Sequence, residues 1–156
     1  MMKQNPRLQY DVFINHKGSD VKNSLASLIY NQLKTKDPTL RVFLDIKEIP
    51  CGVDFSYAIE TAIQSSSVHI AIFSKRYAES KWCLHELDLI IKSKRKLIPV
   101  FCDVDPAALR HIEKGCYQKA FEKHRGREPL EKTKRWEDAL ARASYLQGLQ
   151  FKMKER

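Results

Sequence analysis

An indole and a carboxylate stand four residues apart in the segment SKWCLHEL, as Trp82 and Glu86. Side chains at this spacing are neighbours on one face of a helix, so we expect the two groups to lie side by side. A carboxylate at this place can reach a cleft, while its aromatic neighbour stacks on a flat ring. Spacing alone also allows a structural alternative, in which Glu86 forms a local cap or salt bridge and Trp82 is a half-buried anchor.

Ser80 predicts where that helix begins, because serine is a favoured N-cap residue. At about 100° per residue, an apolar stripe follows along one side of the helix and should face the core. The stripe comprises Cys83, Leu84, Leu87, Ile90 and Ile91. Glu86 falls about 40° from Trp82, so the pair is predicted to lie at the edge of the stripe and not inside it.

The other residues that could do chemistry are four cysteines and an excess of basic side chains. The cysteines are Cys51, Cys83, Cys102 and Cys116, and no two of them form a C-x-x-C pair. We therefore expect reduced thiols, no zinc site, and no other metal or cofactor. Lys and Arg number 28 against 19 Asp and Glu, a net charge of +9. This excess favours anionic partners (nucleotide phosphates, nucleic acid or acidic lipid) or forms a solvated surface.

Short apolar runs alternate with helical patterns along the chain, whose 156 residues suffice for one domain. The predicted strands are Tyr10–Asn15, Leu40–Asp45, Ser67–Ser74 and Lys96–Phe101, and Pro99 indicates an edge strand or a bulge. The predicted helical segments are 21–34, capped by Asp20, 54–66, capped by Asp54, a helix that starts at Lys81, 105–115, 116–125 and 133–151. Such alternation is typical of a parallel sheet with helices on both faces, in which ligands bind at the carboxyl ends of the strands.

Three common functions of such folds lack their motifs. A dinucleotide-binding turn needs G-x-G-x-x-G after the first strand, where only Gly18 is present, and no P-loop sequence occurs. A phospho-acceptor receiver has an aspartate at the end of its third strand, where Phe73 and Ser74 stand. No apolar run is long enough to span a bilayer or to form a signal-peptide core. We therefore expect a cytoplasmic location, with the nucleus as an alternative.

Four segments in order resemble a plant TIR (Toll/interleukin-1 receptor) domain over residues 8–150: YDVFINHKGSD, VFLDIKEIPCG, AIETAIQSSSVHIAIFSKRYAESKWCLHEL and LIPVFCDVDP. The resemblance implies a flavodoxin-like, three-layer α/β fold with a five-stranded parallel sheet flanked by helices. It implies a flexible N-terminus (1–8), a TIR domain (9–150) and a C-terminal tail (151–156), with the family's last helix missing or outside the chain. It also implies a TIR-only protein, or an isolated TIR domain, of plant innate immunity.

The activity implied by the resemblance is hydrolysis of NAD+ (NAD+ nucleosidase activity) in immune signalling and cell death, with NAD+ as substrate. Glu86 corresponds to the catalytic glutamate of the family's W-C-L-x-E-L helix, and Trp82 to the tryptophan that lines the nucleotide site. The implied substrate-binding residues are Trp82, Ser80, Asn15, His16, Lys17, Gly18, Asp20, Asp45, Pro50, Cys51 and Gly52. The family's self-association, or association with other TIR domains, places the loop after the second strand (the BB loop, 46–53) over the pocket of a neighbouring chain.

Two alternatives stay open at this point. The first is a non-catalytic module for TIR–TIR interaction, because Lys17 replaces the family's usual arginine and Ser27–Leu28 replaces a Ser–His pair at a self-association surface. Gly115, in contrast, matches a glycine of another family interface. The second is a nucleic-acid-binding 2′,3′-cyclic nucleotide synthetase with Cys83 as accessory residue, although the place of Cys83 on the core stripe favours packing.

Overall fold

The computed structural model describes residues 8–18, 25–44 and 55–152. Five strands form one parallel sheet: β1 (Tyr10–Asn15), β2 (Val42–Leu44), β3 (Ser66–Phe73), β4 (Lys96–Cys102) and β5 (Leu149–Phe151). The described helices are α1 (Leu25–Lys36), α2 (Phe55–Gln64), α3 (Lys81–Ser93), α4 (Pro106–Arg110), α5 (Gln118–Arg127) and α6 (Leu130–Ser144), and two short 3₁₀ turns cover Tyr77–Glu79 and Ile112–Lys114. The predicted three-layer α/β fold is confirmed.

The strand order is β2-β1-β3-β4-β5, so β1 and β3 lie in the interior of the sheet. Side chains alternate between the two faces, as the two-residue period of a strand requires. On β1, Phe13 packs with the larger cluster, which includes core residues of α2, α3, α5 and α6. Val12 and Ile14 point to the other face and pack against α1. Strands that are buried on both faces need continuous apolar runs. Such runs in the sequence therefore predicted the positions of the interior strands.

Two details of the predicted fold are wrong. Pro99 belongs to an interior strand and not to an edge, since β4 pairs with both β3 and β5. The segment Leu149–Phe151, predicted as helical, is the fifth strand. It pairs with β4 only from Val100 onward, beyond the proline that cannot donate a hydrogen bond. A Cβ atom at Gly148 would overlap the carbonyl oxygen of Pro99, so only glycine allows the chain to approach β4 so closely there.

The remaining differences concern boundaries. β3 begins and ends one residue earlier than predicted, and β2 is shorter, with Asp45 outside the described residues. The proposed caps Asp20 and Asp54 also lie outside them. Among the described residues, no helix has the length and apolar character that crossing a bilayer requires.

Candidate active site

Helix α3 carries both residues of the predicted catalytic pair, and Ser80 fixes its first turn. The Ser80 hydroxyl accepts a hydrogen bond from the Cys83 backbone N–H at 3.2 Å, which confirms the predicted N-cap. This start places the helix so that Cys83 and Leu87 face the core, with 4% and 0% of their surfaces exposed. The predicted core stripe is therefore confirmed at these positions.

Glu86 is buried, with only 6% of its surface exposed, so the expectation of a carboxylate at the edge of the core is wrong. The reason is Asn15, the last residue of β1, which closes over the helix from the sheet. Its side-chain nitrogen Nδ2 donates a hydrogen bond to Glu86 Oε1 at 3.0 Å, and a second contact of 3.4 Å joins Nδ2 to the Cys83 carbonyl. A buried carboxylate is costly unless donors compensate it, and the Asn15 amide offsets part of that cost.

Tyr77, which no sequence pattern indicated, determines which way the Asn15 amide faces. Its phenol is fully buried, donates to Asn15 Oδ1, and lies 3.0 Å from the Cys83 carbonyl oxygen. Burial raises the pKa of Tyr77 well above its usual range, and the neighbouring Cys83 and Glu86 raise it further. The phenol therefore stays protonated and acts as a donor. With its oxygen facing Tyr77, the Asn15 amide must present its NH₂ group to Glu86.

Trp82 is exposed over 52% of its surface, so about half of the residue is open to a ligand. The Nζ of Lys81 lies 5.7 Å from the centroid of the Trp82 ring. An exposed indole can stack on a flat ligand ring without first leaving a packed site. The structural alternative for this residue, a half-buried anchor, and its role in substrate binding therefore both stay predictions.

Trp82 and Glu86 line one small cavity of about 90 Å³ between α3 and α2. The other lining residues are Ser56, Ile59 and Glu60 on α2 and His85 on α3. The sequence analysis predicted none of these four residues. His85 lies between Trp82 and Glu86 in the sequence, and that position could have indicated it. Small-molecule sites usually enclose about 300–1,000 Å³, so the described part of this cavity is too small for a whole dinucleotide.

The described residues of the loop after β1 that are predicted to bind substrate do not line this cavity. His16 is buried, whereas Lys17 and Gly18 are partly exposed, and none of the three lines the cavity. Lys17 instead lies near Glu79: the pKa of Glu79 is lowered, mainly by its hydrogen bond to Arg76, with Lys17 adding to the effect. Five further predicted binding residues lie outside the described residues, namely Asp20, Asp45, Pro50, Cys51 and Gly52.

Taken together, these contacts hold a single buried carboxylate in a fixed orientation beside an exposed aromatic ring. A carboxylate in such a dry site interacts strongly with positive charge, because little water screens it. The chemistry that fits is stabilisation of a cationic transition state whose flat portion stacks on Trp82.

Comparison with known proteins gives consistent matches. A family model described as "TIR domain" matches residues 9–156. TMV resistance protein N from Nicotiana glutinosa is 36% identical over 148 residues, which cover 91% of this chain and 13% of that protein. The "Probable 2' cyclic ADP-D-ribose synthase BdTIR" from Brachypodium distachyon is 40% identical over 101 residues, which cover 65% of this chain and 44% of that protein. The chain thus spans less than half the length of these two relatives.

Among solved structures, the TIR domains in the "Structure of the activated Roq1 resistosome directly recognizing the pathogen effector XopQ" superpose on this chain with a TM-score of 0.82. The match is 33% identical in sequence and covers 91% of this chain and 87% of that chain.

Proposed function

Because the chain belongs to the TIR domain family, we propose that it cleaves NAD+ between nicotinamide and ribose as part of plant innate immunity. The observation that carries this proposal is the buried Glu86 carboxylate, which the Asn15 amide orients in a cavity beside the exposed Trp82. The relatives support the biological setting, since several are disease resistance proteins and one is described as a probable cyclic ADP-ribose synthase.

A single carboxylate suffices for this reaction because of its leaving group. Nicotinamide is bound in NAD+ as a pyridinium and departs neutral, so it needs no general acid, unlike the alkoxide of ordinary glycoside hydrolysis. The ribose becomes an oxocarbenium ion as the C–N bond breaks. Glu86 stabilises this cation more strongly than the ground state, and interactions of that kind accelerate a reaction.

Trp82 and the network behind Glu86 have separate tasks in this proposal. The indole stacks on a flat ring of the nucleotide, while Asn15 and Tyr77 act as positioning residues that hold the carboxylate. Water that captures the oxocarbenium ion gives ADP-ribose. A hydroxyl or a ring nitrogen of the same nucleotide that captures it gives a cyclic product, and another acceptor gives a transferred ADP-ribose. The description of the Brachypodium relative favours a cyclic product.

We further propose that the active form is self-associated. The described cavity of about 90 Å³ holds only part of NAD+, and a neighbouring chain could supply more of the pocket wall. The similar TIR domains of known structure belong to an assembled resistosome. We place the protein inside the plant cell, in the cytoplasm or the nucleus.

The test is product analysis of NAD+ incubated with the wild-type protein and with Glu86→Gln at high protein concentration. Glutamine keeps the shape and can still accept the Asn15 hydrogen bond, so folding should survive. We expect release of nicotinamide to fall at least about 100-fold, the scale of losing one key electrostatic stabiliser. Glu131→Gln, an exposed change of the same kind on α6, serves as the matched control. Equal turnover by Glu86→Gln and wild type would refute the assignment of Glu86.

One observation favours a second candidate, a non-catalytic module that recruits other TIR domains. Leu28 is a large apolar residue on α1 with 50% of its surface exposed, at the position where the family has the histidine of its Ser–His pair. If concentrated wild-type protein releases no nicotinamide yet co-sediments with another TIR domain, this candidate replaces the first. The third candidate, a cyclic nucleotide synthetase that uses Cys83, is not supported by the 4% exposure of that residue.

A further inference from the structure

A groove of about 580 Å³ lies away from Glu86. One wall is the turn from Lys75 to Glu79, which leads from β3 to α3, and the other wall is α5 with the preceding Cys116. The residues that line it are Lys75, Arg76, Glu79, Cys116, Lys119, Ala120, Lys123, His124 and Arg127. None of them lines the cavity that holds Trp82 and Glu86. We call it the basic groove.

Positive charge is concentrated along both walls of the basic groove. Lys119, Lys123 and Arg127 follow each other at four-residue intervals on α5, so they form a stripe on one helix face. Eight residues at 1.5 Å rise give a stripe about 12 Å long. Lys75 and Arg76 stand on the facing wall. Like charges at this spacing repel each other, so the stripe weakens the helix unless an anion neutralises it.

The groove contains little negative charge of its own. Its one carboxylate is Glu79, which Arg76 already engages with Nε–Oε2 at 2.7 Å. Elsewhere along the described chain, no carboxylate forms an ion pair with Lys75 or with the α5 stripe. Five cations and one carboxylate leave a net charge of +4 in the groove. The pKa of Glu79 is lowered mainly by its hydrogen bond to Arg76, and Lys123 on the other wall adds to this effect.

The walls are held together by buried contacts, so the groove is pre-formed. His124 is half-buried, and its Nε2 lies 2.7 Å from the Ala78 carbonyl oxygen on the opposite wall. The same imidazole packs edge-on against Trp136, with ring centroids 5.3 Å apart. Ala78 and Trp136 are both buried. A ligand that binds there would not have to order the site first, which favours affinity.

We propose that the basic groove binds a small polyphosphate, meaning an anion that carries two or more linked phosphoryl groups. Its volume falls within the range of small-molecule sites, about 300–1,000 Å³. Lysine and arginine side chains bind phosphoryl oxygens through charge-assisted hydrogen bonds. A nucleic-acid strand is disfavoured, because no Phe, Tyr or Trp side chain lines the described groove for bases to stack on, and the His124 imidazole already contacts Ala78 and Trp136.

The first experiment measures binding of inorganic tripolyphosphate by isothermal titration calorimetry at near-physiological salt. Two double variants carry the same loss of charge: Lys119→Gln with Lys123→Gln removes the centre of the stripe, and Lys36→Gln with Lys134→Gln removes two exposed lysines elsewhere. We expect the Kd of the groove variant to be at least tenfold higher than that of the wild type, and the Kd of the control variant to change by less than twofold. Equal weakening in both would show a diffuse electrostatic effect and overturn the site, as would no binding to the wild type.

Cys116 supplies a second readout at the site itself, since it is exposed and lines the groove. Alkylation followed by peptide mass spectrometry distinguishes it from Cys51, Cys83 and Cys102. Saturating tripolyphosphate should slow alkylation of Cys116 at least threefold, and citrate at equal concentration should not. Equal protection by citrate would refute selectivity for phosphoryl groups. Tighter binding of a short single-stranded oligonucleotide than of tripolyphosphate would overturn the proposal in favour of a nucleic-acid surface. Both assays are independent of NAD+ turnover.

Discussion

Replacing Asn15 with aspartate changes one NH₂ group to oxygen and should make the folded state sensitive to pH. The new oxygen would take the place of Nδ2, which lies 3.0 Å from Glu86 Oε1. When protonated, the aspartic acid reproduces the amide, because its OH donates to Glu86 and its carbonyl oxygen accepts from Tyr77. When ionised, it places two buried carboxylates against each other, and such a pair retains a shared proton.

The size of the effect follows from that distance. Two unit charges 3 Å apart repel by about 5.5 kcal/mol at an effective dielectric constant of about 20. The folded pair therefore binds a proton at pH values where the unfolded carboxyls have lost theirs. Since the folded state then binds more protons than the unfolded state, the free energy of unfolding decreases as pH rises, by up to about 1.4 kcal/mol per pH unit. Between pH 5 and pH 7 the loss amounts to about 3 kcal/mol.

The assay is thermal unfolding of the variant at pH 5, 6, 7 and 8, beside the wild type. For a chain of this length, about 3 kcal/mol lowers the Tm by about 6–12 °C, whereas near pH 5 the variant should approach the wild type. Asn31→Asp is the matched control, since it makes the same change on an exposed position of α1. NAD+ cleavage by the Asn15 variant should be reduced at pH 7 and recover in part at higher pH, as the shared proton leaves Glu86. If the Tm of both variants depends on pH in the same way, the contact between Asn15 and Glu86 is refuted.

Three further predictions concern the substrate and the assembly. Trp82→Ala should lower kcat/KM for NAD+ by a factor equivalent to about 1–3 kcal/mol of stacking energy, with little change in Tm, and Trp82→Phe should recover part of this loss. Tyr57→Ala, an exposed aromatic control on α2, should leave kcat/KM unchanged. A large fall in Tm for Trp82→Ala would contradict the exposure of Trp82. Lys17→Arg should lower the apparent KM, because a guanidinium can contact ribose or phosphate in a bidentate manner, and an unchanged KM would show that this side chain points away from the substrate. Specific activity should rise with protein concentration over a hundredfold dilution series read beside sedimentation, and a flat profile from a monomer would show that one chain holds the complete site.

The sequence predicts helix α3 well because the signals for it are local. Ser80 caps the helix, and the apolar spacing places Cys83 and Leu87 in the core. The burial of Glu86 escaped prediction because helical periodicity gives a direction relative to the helix axis only. Whether that direction meets water or protein depends on Asn15, a residue 71 positions away in the chain. Tyr77 escaped for the same reason, since its partners come from β1 and α3 and its own turn carries no recognisable motif.

The fifth strand illustrates a different limit. Leu149–Phe151 has only three residues and follows a 15-residue helix, so the periodicity of its neighbours dominated the prediction. Gly148 was the local signal that the helix had ended, and its close approach to Pro99 is where β5 joins the sheet. Such a short strand forms only because β4 presents an unpaired edge, and that information is not contained in the segment itself.

The sheet thus ends in two very short strands, and this bears on how the protein avoids aggregation. β2 and β5 occupy the two edges and have three residues each in the described chain, whereas the interior strands have six to eight. Long unprotected edges are templates on which strands of other molecules add and amyloid-like stacking begins. An edge of three residues, as in β5, offers too few backbone donors and acceptors for such growth. The self-association proposed above is therefore expected to use helices and loops and not the addition of strands at the sheet edges.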